Sequence, residues 1–477
     1  MAKAPKASPV SSTTCVRLRS EFVMLGTRQG VHYNKAQVMS LSTQPYKGAR
    51  DFYPEDKRVQ KYMFSVLRKV VESFGYQEYD APIIEPLELY LAKTSEEIVA
   101  EQTFSFTDRG GRSITLRPEM TPSVSRMVAA RRQELAYPLR LYSIPNLWRY
   151  ERPQHGRLRE HWQLNVDIFG VPSIAADHEV ILIADSILQA FGAKRSFYEI
   201  RISSRALINW LMLEYLRLDF TQAAAFMRLI DRMAKISQKE FVTLADALLS
   251  PAQRETDVLQ RLMALLKVKR LVELPLATQQ HPAVAELAKL LQILRENGVN
   301  NAVFDLTLMR GFDYYTNIVF EIFDKHPDNN RSMFGGGRYD GLVAEFGVNP
   351  VPTVGFGMGD VTLQNFLTGH SLLPTLAPET DAIVILVGDV YEAAQKTLAV
   401  LRNEGLRIAV DSSGRKLDAQ IKAAVKSGIL YVIFLGEHEL ATQRFKLKDL
   451  RLGEEKELGL ERLVSKLAAR HRPASEL

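Results

Sequence analysis

Hydrophobic residues recur at helical spacing over residues 59–74, and the pattern stops at Gly75, which predicts an amphipathic helix with a glycine at its end. Residues 76–82 follow with the composition of a strand that ends at a proline. The rest of this mixed α/β block is predicted as a helix over residues 121–134, short strands up to residue 170, and a helix over residues 178–191.

A long helical stretch interrupts this block. Leu, Met, Ala, Lys and Glu dominate residues 218–297, which predicts helices with breaks only near residues 250–251 and 280–282. Strand-like segments return at residues 301–323 and 353–358. The helical stretch is therefore predicted to be an insertion that splits one α/β block into two parts.

The last hundred residues have a third pattern. A connector with Pro374 and Pro378 precedes them. Apolar strands are predicted at residues 382–387, 406–410 and 431–435, with helices between them at residues 391–403 and 416–427. This alternation predicts a small α/β domain with a parallel or mixed sheet.

Together the patterns predict an α/β (α+β) chain with six segments. They are a basic tail at residues 1–45, a core at 46–215, a helical insertion at 216–300, the rest of the core at 301–370, a linker at 371–380, and a C-terminal domain at 381–477.

The composition is that of a globular protein, but its positive charge is unevenly placed. The chain has 477 residues, of which 46% are hydrophobic and 24% charged, with a net charge of +6. Residues 1–38 contain six Lys or Arg residues and one Glu, so five of the six net charges lie there. The remainder is nearly neutral, and the net charge gives no argument that the folded part binds nucleic acid.

Cysteine content and hydropathy exclude several classes of protein. Cys15 is the single cysteine, so a disulfide within the chain and a cysteine-based zinc site are both excluded. No stretch approaches 18 uncharged apolar residues, so no membrane span is expected. No cluster of metal-ligating residues is visible either.

The tail has three possible explanations. It is rich in Ser and Thr and nearly free of acidic residues, which fits an organellar transit peptide, a disordered extension, or an upstream start codon, since Met24 and Met39 are also available. We favour the last two and therefore expect a cytoplasmic protein, with organellar targeting as the alternative.

Candidate chemistry is concentrated in a predicted hairpin over residues 141–170. Side chains alternate between the two faces of a strand, so Arg149 and Glu151 point away from Trp148 and Tyr150. On the second strand the apolar face contains Trp162, Leu164, Val166 and Ile168, and the polar face contains Gln163, Asn165 and Asp167. The loop between the strands contains Arg152, Arg157 and Arg159. Such a surface suits a charged ligand that bears phosphates, although a solvated hairpin face would also fit.

The segment Arg149-Tyr150-Glu151 and its arginine-rich loop resemble motif 2 of class II aminoacyl-tRNA synthetases, and residues 152–157 resemble the histidyl family's version. The resemblance implies an antiparallel core sheet and a set of roles. Arg149 would hold the ATP α-phosphate and the substrate carboxylate, Glu151 the adenine amino group, Arg157 the γ-phosphate, and Arg152 with Gln154 the tRNA acceptor end.

Three further segments resemble the histidyl family, at residues 116–121, 308–315 and 335–342. The resemblance implies that Arg310 reaches the α-phosphate. Histidine would be bound by Glu119, Thr121, Gln163, Asp167, Tyr314, Tyr315 and Tyr339. This choice fits the chemistry, because an ammonium group needs acceptors such as Glu119 and an imidazole needs partners for its ring nitrogens.

Three other regions complete the resemblance. The context of Pro82 resembles motif 1, which implies a homodimer. Motif 3 departs from the family, because Thr362 stands where its arginine is expected, so either ATP affinity is reduced or Arg157, Arg159 or Arg338 substitutes. The C-terminal domain resembles an anticodon-binding domain, in which Arg415 and Lys416 at a helix start suit an RNA phosphate, although a solvated helix cap is the alternative.

The resemblance implies a ligase that joins L-histidine to tRNA(His) through histidyl-adenylate, releasing AMP and pyrophosphate from ATP with Mg²⁺. One alternative is the non-catalytic, histidine-sensing regulatory subunit of ATP phosphoribosyltransferase. Thr362 favours it, whereas the C-terminal domain and intact Arg149, Glu151 and Arg310 oppose it. A class II synthetase for another amino acid is opposed by residues 310–315 and Tyr339.

Overall fold

The computed structural model describes residues 25–27, 30–32, 41–91, 102–154, 156–308, 314–329 and 331–469. The chain divides into two compact units, residues 1–47 and residues 48–477. In the first unit, strand β1 (Leu25–Thr27) pairs antiparallel with β2 (Gly30–His32). Most of the predicted basic tail lies outside the described residues, and so does Arg310.

A nine-stranded sheet forms the centre of the second unit. Its strands are β3 (Gln77–Glu78), β7 (Leu139–Ser143), β8 (Asn146–Trp148), β9 (Glu160–Phe169), β10 (Tyr198–Ser204), β11 (Ala302–Phe304), β12 (Ile318–Asp324), β13 (Ser332–Arg338) and β14 (Thr353–Gly359). Their order is β11-β10-β12-β13-β14-β9-β7-β3, and β8 also pairs with β9. Only the β10–β11 and β3–β7 pairs among these are parallel. The predicted fold class, with an antiparallel core sheet, is thereby confirmed.

A smaller antiparallel sheet lies in the same part of the chain. It contains β4 (Ile84–Pro86), β5 (Phe104–Thr107) and β6 (Ser113–Leu116), with β6 in the middle. Residues 117–121, which carry the predicted ammonium-binding Glu119, come directly after β6.

Four helices accompany these sheets before the insertion: α1 (Pro54–Ser73), α2 (Glu88–Leu91), α3 (Thr121–Ala130) and α4 (Ile174–Ala190). The apolar faces of α1 and α4 and the even-numbered side chains of β9 share one buried core, which includes Leu67, Val180 and Val166. Burial of these side chains stabilises the fold by about 1.5–3 kcal/mol each. The odd-numbered residues of β9 are therefore on the opposite face, as the hairpin's alternation predicts.

The segment between β10 and β11, which includes the predicted insertion, contains helices α5 (Arg205–Trp210), α6 (Phe220–Arg232), α7 (Gln238–Ala247), α8 (Pro251–Arg254), α9 (Val258–Leu265), α10 (Leu276–Gln279) and α11 (Pro282–Glu296). The expectation of only two breaks was wrong. Helices also end near residues 233 and 255, and residues 266–275 form no α-helix. Capping side chains explain why helices α6 and α7 begin where they do. Asp219 and Ser237 precede these helices, and each side chain accepts a hydrogen bond from the backbone N–H three residues later in the chain.

After helix α12 (Asp360–Gly369), the C-terminal domain has its own core. Strands β15 (Ala382–Val387), β16 (Ile408–Asp411), β17 (Tyr431–Gly436), β18 (Arg444–Asp449) and β19 (Glu455–Gly459) are ordered β16-β15-β17-β18-β19, so the sheet is mixed. Its helices are α13 (Tyr391–Asn403), α14 (Leu417–Lys426), α15 (Glu437–Thr442) and α16 (Leu460–Ala468).

Several predicted boundaries shift for physical reasons. Helix α1 begins at Pro54. Proline is tolerated in the first turn of a helix because the N–H that it lacks would have no partner within the helix. The predicted strand over residues 76–82 is only β3, two residues long. The first strand of the predicted hairpin is broken at Pro145 into β7 and β8, and Arg149 follows β8 rather than lying within it.

Candidate active site

A cavity of about 290 Å³ opens on the odd-numbered face of β9. Its walls come from β9, β12, β13 and β14, the start of α3, and the segment before β12. Nine of the predicted site residues line it: Glu119, Thr121, Arg149, Arg157, Gln163, Asp167, Tyr314, Tyr315 and Tyr339. The structure therefore brings together residues that are up to 220 positions apart in the sequence. We call this space the first cavity.

Two glycines of β14 give the first cavity its floor. A β-carbon at Gly355 would overlap the Asp167 carboxylate, and one at Gly357 would overlap the Gln163 amide. Both glycines pair with β9 in the register Gly355↔Asp167 and Gly357↔Asn165. The absence of a side chain lets the polar groups of β9 lie across the neighbouring strand.

Asp167 is one of two deeply buried carboxylates of the first cavity, and it has 3% of its surface exposed, as does Glu119. Burial raises the pKa of Asp167 to about 7, although the hydrogen bond that Tyr339 donates to it acts in the opposite direction. Tyr339 is also buried, and burial beside Asp167 raises its own pKa. The pair therefore places a carboxyl group that can exchange a proton near neutral pH at the bottom of the cavity.

The second buried carboxylate of the first cavity is that of Glu119, which accepts a hydrogen bond of 3.2 Å from the Tyr314 hydroxyl. The Tyr314 ring lies edge-on to the rings of Tyr315 and Tyr339, with centroids 5.0 and 5.5 Å away. Gln163 Oε1 is buried and has no hydrogen-bond partner within the described residues. These groups leave an acceptor-rich corner that can receive an ammonium group.

A second cavity of about 210 Å³ adjoins the first. It shares Arg149, Arg157, Gln163 and Gly357 with the first cavity and adds Glu151, Gly156, Leu158, His161, Met333, Gly359, Val361 and Thr362. Arg149 is oriented by a 2.8 Å hydrogen bond from its Nε to the Pro118 carbonyl. Arg157 is mostly exposed and lies 3.6 Å from the Glu151 carboxylate. The two arginines stand at the junction of the cavities.

The remaining predicted residues lie elsewhere. Arg152 and Gln154 are exposed on the loop between β8 and β9 and line neither cavity. Arg415 and Lys416 are exposed just before α14, where Arg415 forms a 3.1 Å ion pair with Asp411.

Two of the three cations considered as substitutes for the motif 3 arginine do not face the second cavity. Arg338 is buried and pairs with Asp177 at 2.5 Å, so its charge is already neutralised. Arg159 stacks over the Tyr150 ring at 4.0 Å and donates to the Glu151 carbonyl. Arg157 lines the same cavity as Thr362. The Thr362 hydroxyl itself donates toward the carbonyls of Met333 and Gly359, at 2.9 and 3.1 Å.

The sequence reasoning missed His161, which lines the second cavity. The signal was present, because the alternation that assigned residues 163, 165 and 167 to one face of β9 also assigns residue 161 to it. It also missed Arg50, which pairs with Asp360 at 2.7 Å behind this wall. Nothing in the local sequence indicated that pair, since its members are 310 residues apart.

An antiparallel sheet that carries this two-part polar cleft, followed by a separate mixed α/β domain, is the arrangement of a class II aminoacyl-tRNA synthetase. Residues 48–361 match the family model for histidyl-tRNA synthetase, and residues 381–470 match that for an anticodon binding domain. The chain belongs to the histidyl-tRNA synthetase family.

Individual relatives agree with this assignment. The chain is 44% identical over 414 residues to the histidine–tRNA ligase of Leptospira biflexa, which covers 86% of this chain and 94% of the relative. It is 36% identical over 422 residues to that of Thermoplasma volcanium, covering 88% and 96%.

Solved structures share the fold. Histidyl-tRNA synthetase from Nostoc sp. PCC 7120 superposes with a TM-score of 0.75 at 24% identity, covering 90% of this chain and all of that one. A Bacillus halodurans protein described as an ATP phosphoribosyltransferase regulatory subunit/histidyl-tRNA synthetase gives 0.68 at 24% identity, covering 84% and 100%. Within the described part of the chain, no helix is both long and apolar enough to cross a membrane.

Proposed function

We propose that this chain activates L-histidine with ATP to form histidyl-adenylate and pyrophosphate, and then transfers the histidyl group to tRNA(His) with release of AMP. One observation carries the proposal: the two cavities meet at Arg149 and Arg157, so an amino acid in one and a nucleotide in the other would bring a carboxylate and phosphates to the same two cations.

The amino acid is assigned to the first cavity. Asp167 and Tyr339 would bind the imidazole nitrogens, with Tyr315 closing the pocket beside them. Glu119, Thr121 and Gln163 would bind the ammonium group, and Tyr314 would hold the Glu119 carboxylate. A buried site that hydrogen-bonds a substrate ring rejects analogues without those groups by about 10⁴–10⁵, so this pocket supplies specificity for histidine.

The nucleotide is assigned to the second cavity. Glu151 would accept from the adenine amino group, and Arg157 would hold the γ-phosphate. The histidine carboxylate would attack the α-phosphorus, with pyrophosphate as the leaving group. Arg149 would neutralise charge that develops on the α-phosphate, and Arg310 remains a prediction for its other side.

Magnesium would enter with ATP. Within the described residues, no cluster of three or more His, Cys, Asp or Glu side chains could hold a metal ion. This fits Mg²⁺, which usually binds to substrate phosphates with only one or two carboxylates. Glu321 in the first cavity is a candidate for such a carboxylate. When bound, the ion would neutralise charge on the phosphates.

The acceptor end of the tRNA is assigned to Arg152 and Gln154, whose exposure on the loop beside the second cavity supports the assignment. The anticodon arm is assigned to the C-terminal domain, with Arg415 and Lys416 as candidates for phosphate contacts. A homodimer in the cytoplasm is also proposed. Four exposed apolar side chains on and beside the small sheet support the dimer: Ile83, Ile84, Leu91 and Phe106.

A non-catalytic, histidine-sensing role is the second candidate, because Thr362 replaces an arginine expected in the nucleotide site. The match of residues 381–470 to an anticodon binding domain favours the ligase instead. Histidine-dependent exchange of pyrophosphate into ATP, followed by histidylation of tRNA, tests the choice. Exchange that saturates with histidine supports the ligase. Saturable histidine binding without exchange would establish the regulatory role.

A further inference from the structure

The two strands that flank the second cavity stop pairing at its rim. Strands β9 and β14 form an antiparallel ladder whose last pair at this end is Gln163↔Gly359. Beyond that pair, His161 continues one wall of the cavity, and Val361 and Thr362 continue the other. The ladder therefore does not join the two walls where they enclose the proposed nucleotide site.

A buried carboxylate joins the two walls instead. Asp360 is the first residue of α12, and its Oδ1 accepts a 3.0 Å hydrogen bond from the Trp162 backbone N–H. Its Oδ2 accepts a 2.7 Å hydrogen bond from Nη2 of Arg50. A negative charge is also favoured at the start of a helix, where the backbone N–H groups have no helical partner. One side chain thus links the start of β9 to the start of α12.

The link depends on the charge of Arg50. The Asp360 side chain is 3% exposed, and its burial raises the pKa of Asp360 although Arg50 acts in the opposite direction. Within the part of the chain that the structure describes, Arg50 is the only cation within 4.0 Å of this carboxylate. Removing one partner of a buried ion pair leaves an uncompensated charge. Without Arg50 we therefore expect the carboxylate to turn toward water and release the Trp162 N–H.

The segment that contains Arg50 is itself fixed on the start of β9. The Gly48 carbonyl accepts hydrogen bonds from the backbone N–H groups of residues 159 and 160, at 2.8 and 3.1 Å. The Phe52 ring lies edge-on to the Trp162 ring, with centroids 5.2 Å apart. The Arg50 guanidinium lies 4.8 Å from the centroid of the Phe52 ring. These contacts hold the guanidinium in place beside Asp360.

We propose that Arg50 is a positioning residue for the nucleotide, which keeps the two walls of the second cavity joined at Trp162 by neutralising Asp360. The inference rests on the proposed function in taking ATP as the occupant of that cavity. Arg50 does not line the cavity, so it acts through Asp360 rather than by touching ATP. The first cavity depends less on this link, because β9 and β14 are paired along it from Phe169 to Gln163.

A double-mutant cycle separates positioning from direct contact with ATP. Arg50→Met leaves the Asp360 carboxylate buried and unpaired. In Arg50→Met with Asp360→Asn, an uncharged amide oxygen can still accept from the Trp162 N–H. We expect Arg50→Met to raise KM for ATP in histidine-dependent pyrophosphate exchange about tenfold, and KM for histidine less than about twofold. The double variant should return KM for ATP to within about threefold of wild type.

An unchanged KM for ATP in Arg50→Met would overturn the proposal. Failure of Asp360→Asn to restore it would also do so, because Arg50 would then contact the nucleotide itself. Arg444→Met is the matched control, since Arg444 forms an exposed ion pair with Glu457.

Thermal unfolding shows whether each variant folds. If Arg50→Met alone does not fold, Arg50→Met with Asp360→Asn is compared with Arg50→Met with Asp360→Ala. Both lack the unpaired carboxylate, but only the Asn variant keeps an acceptor for the Trp162 N–H. KM for ATP should be about tenfold higher in the Ala variant, and equal values would overturn the proposal.

Hydrogen exchange at the Trp162 backbone N–H tests the link without any ligand. The chain has three tryptophans, so selective isotope labelling gives few signals in an NMR spectrum. The Trp162 N–H should exchange about tenfold faster in Arg50→Met than in wild type, and Asp360→Asn should reverse this. Equal exchange rates would overturn the inference and leave the proposed function intact. A wild-type chain that protects this N–H but exchanges no pyrophosphate would contradict the proposed function alone.

Discussion

The two cavities of the active site are built differently although they share a wall. The first is formed by side chains that are buried and bonded to one another, such as Asp167 with Tyr339 and Glu119 with Tyr314. The second adds a loop and a threonine whose hydroxyl is already engaged to the shared arginines, of which Arg157 is mostly exposed. A ligand entering the first finds fixed partners, whereas one entering the second must order part of its surroundings.

This difference indicates that the first cavity determines substrate specificity and that the second mainly determines affinity for the nucleotide. Preorganised, desolvated hydrogen-bonding groups give discrimination between substrates, because an analogue leaves them unpaired. An exposed arginine loses side-chain entropy when it binds, so it contributes less net affinity. We therefore expect specificity for the amino acid to be hard to change and affinity for the nucleotide to be easier to change.

The largest effect is expected at the wall that the cavities share. Arg149→Ala should lower the rate of histidine-dependent pyrophosphate exchange by about 10²–10³, the usual loss when one preorganised donor to a transition state is removed. Arg131→Ala is the matched control, since Arg131 is exposed and forms an ion pair with the nearby, exposed Glu134. A loss below about fivefold in Arg149→Ala would mean that the cavities do not meet at the reacting phosphate.

The next effect should be confined to the first cavity. Asp167→Asn keeps the shape of the side chain but removes a charged partner of the substrate ring. KM for histidine should rise about tenfold to 100-fold, the range for a hydrogen bond to a charged group, while KM for ATP stays within about twofold. Steady-state exchange kinetics at varied histidine and varied ATP measure both values. A parallel rise in the two KM values would contradict the proposed division between the cavities.

A substitution in the second cavity should increase the affinity for ATP. Thr362→Arg restores a cation there, and a cation near an adenine ring should lower KM for ATP about threefold to tenfold. Thr368→Arg places the same charge on an exposed position of the same helix and should leave KM unchanged. A KM for ATP that rises in Thr362→Arg would show that the space beside Thr362 is already used by the nucleotide.

The smallest effect is on stability and depends on pH. Burial raises the pKa of Asp167 to about 7, so between about pH 4 and 7 the folded protein holds a proton that the unfolded chain has released. The contribution of this carboxyl group to stability is therefore greatest at low pH and is lost as the pH rises. Asn cannot titrate, so the Tm of Asp167→Asn relative to wild type should increase by about 2–4 °C between pH 5 and pH 8.

Thermal unfolding of the ligand-free proteins checks this, with Asp328→Asn as a control because that side chain is almost fully exposed. A difference in Tm that is independent of pH would contradict the raised pKa.

The sequence predicted elements best where a single local rule decides the structure. Strand β15 and helix α13 occur at the predicted bounds, because a continuous apolar run and a helical spacing of apolar residues are both patterns of neighbouring residues. The polar face of β9 was predicted for the same reason. Helix ends were predicted less well, since a proline at position 54 or a cap at Ser237 shifts them by a few residues.

Residues joined by distant contacts could not be predicted from spacing. Arg338 was a candidate to replace the motif 3 arginine, but it forms a buried ion pair with Asp177, which is 161 residues away in the sequence. The resemblance supplied the residues of the first cavity but did not single out His161, although the alternation along β9 places it on the same face as Gln163. The sequence alone therefore cannot show whether a charged side chain is free to bind a ligand, because its partner can lie far away along the chain.

Because Arg149 and Gln163 belong to both cavities, binding in one alters the field and the hydrogen-bonding groups that the other presents. Thermodynamic linkage then requires that histidine changes the affinity for ATP by the same factor by which ATP changes the affinity for histidine. The shared wall thus makes the two substrates cooperative ligands, whether positively or negatively.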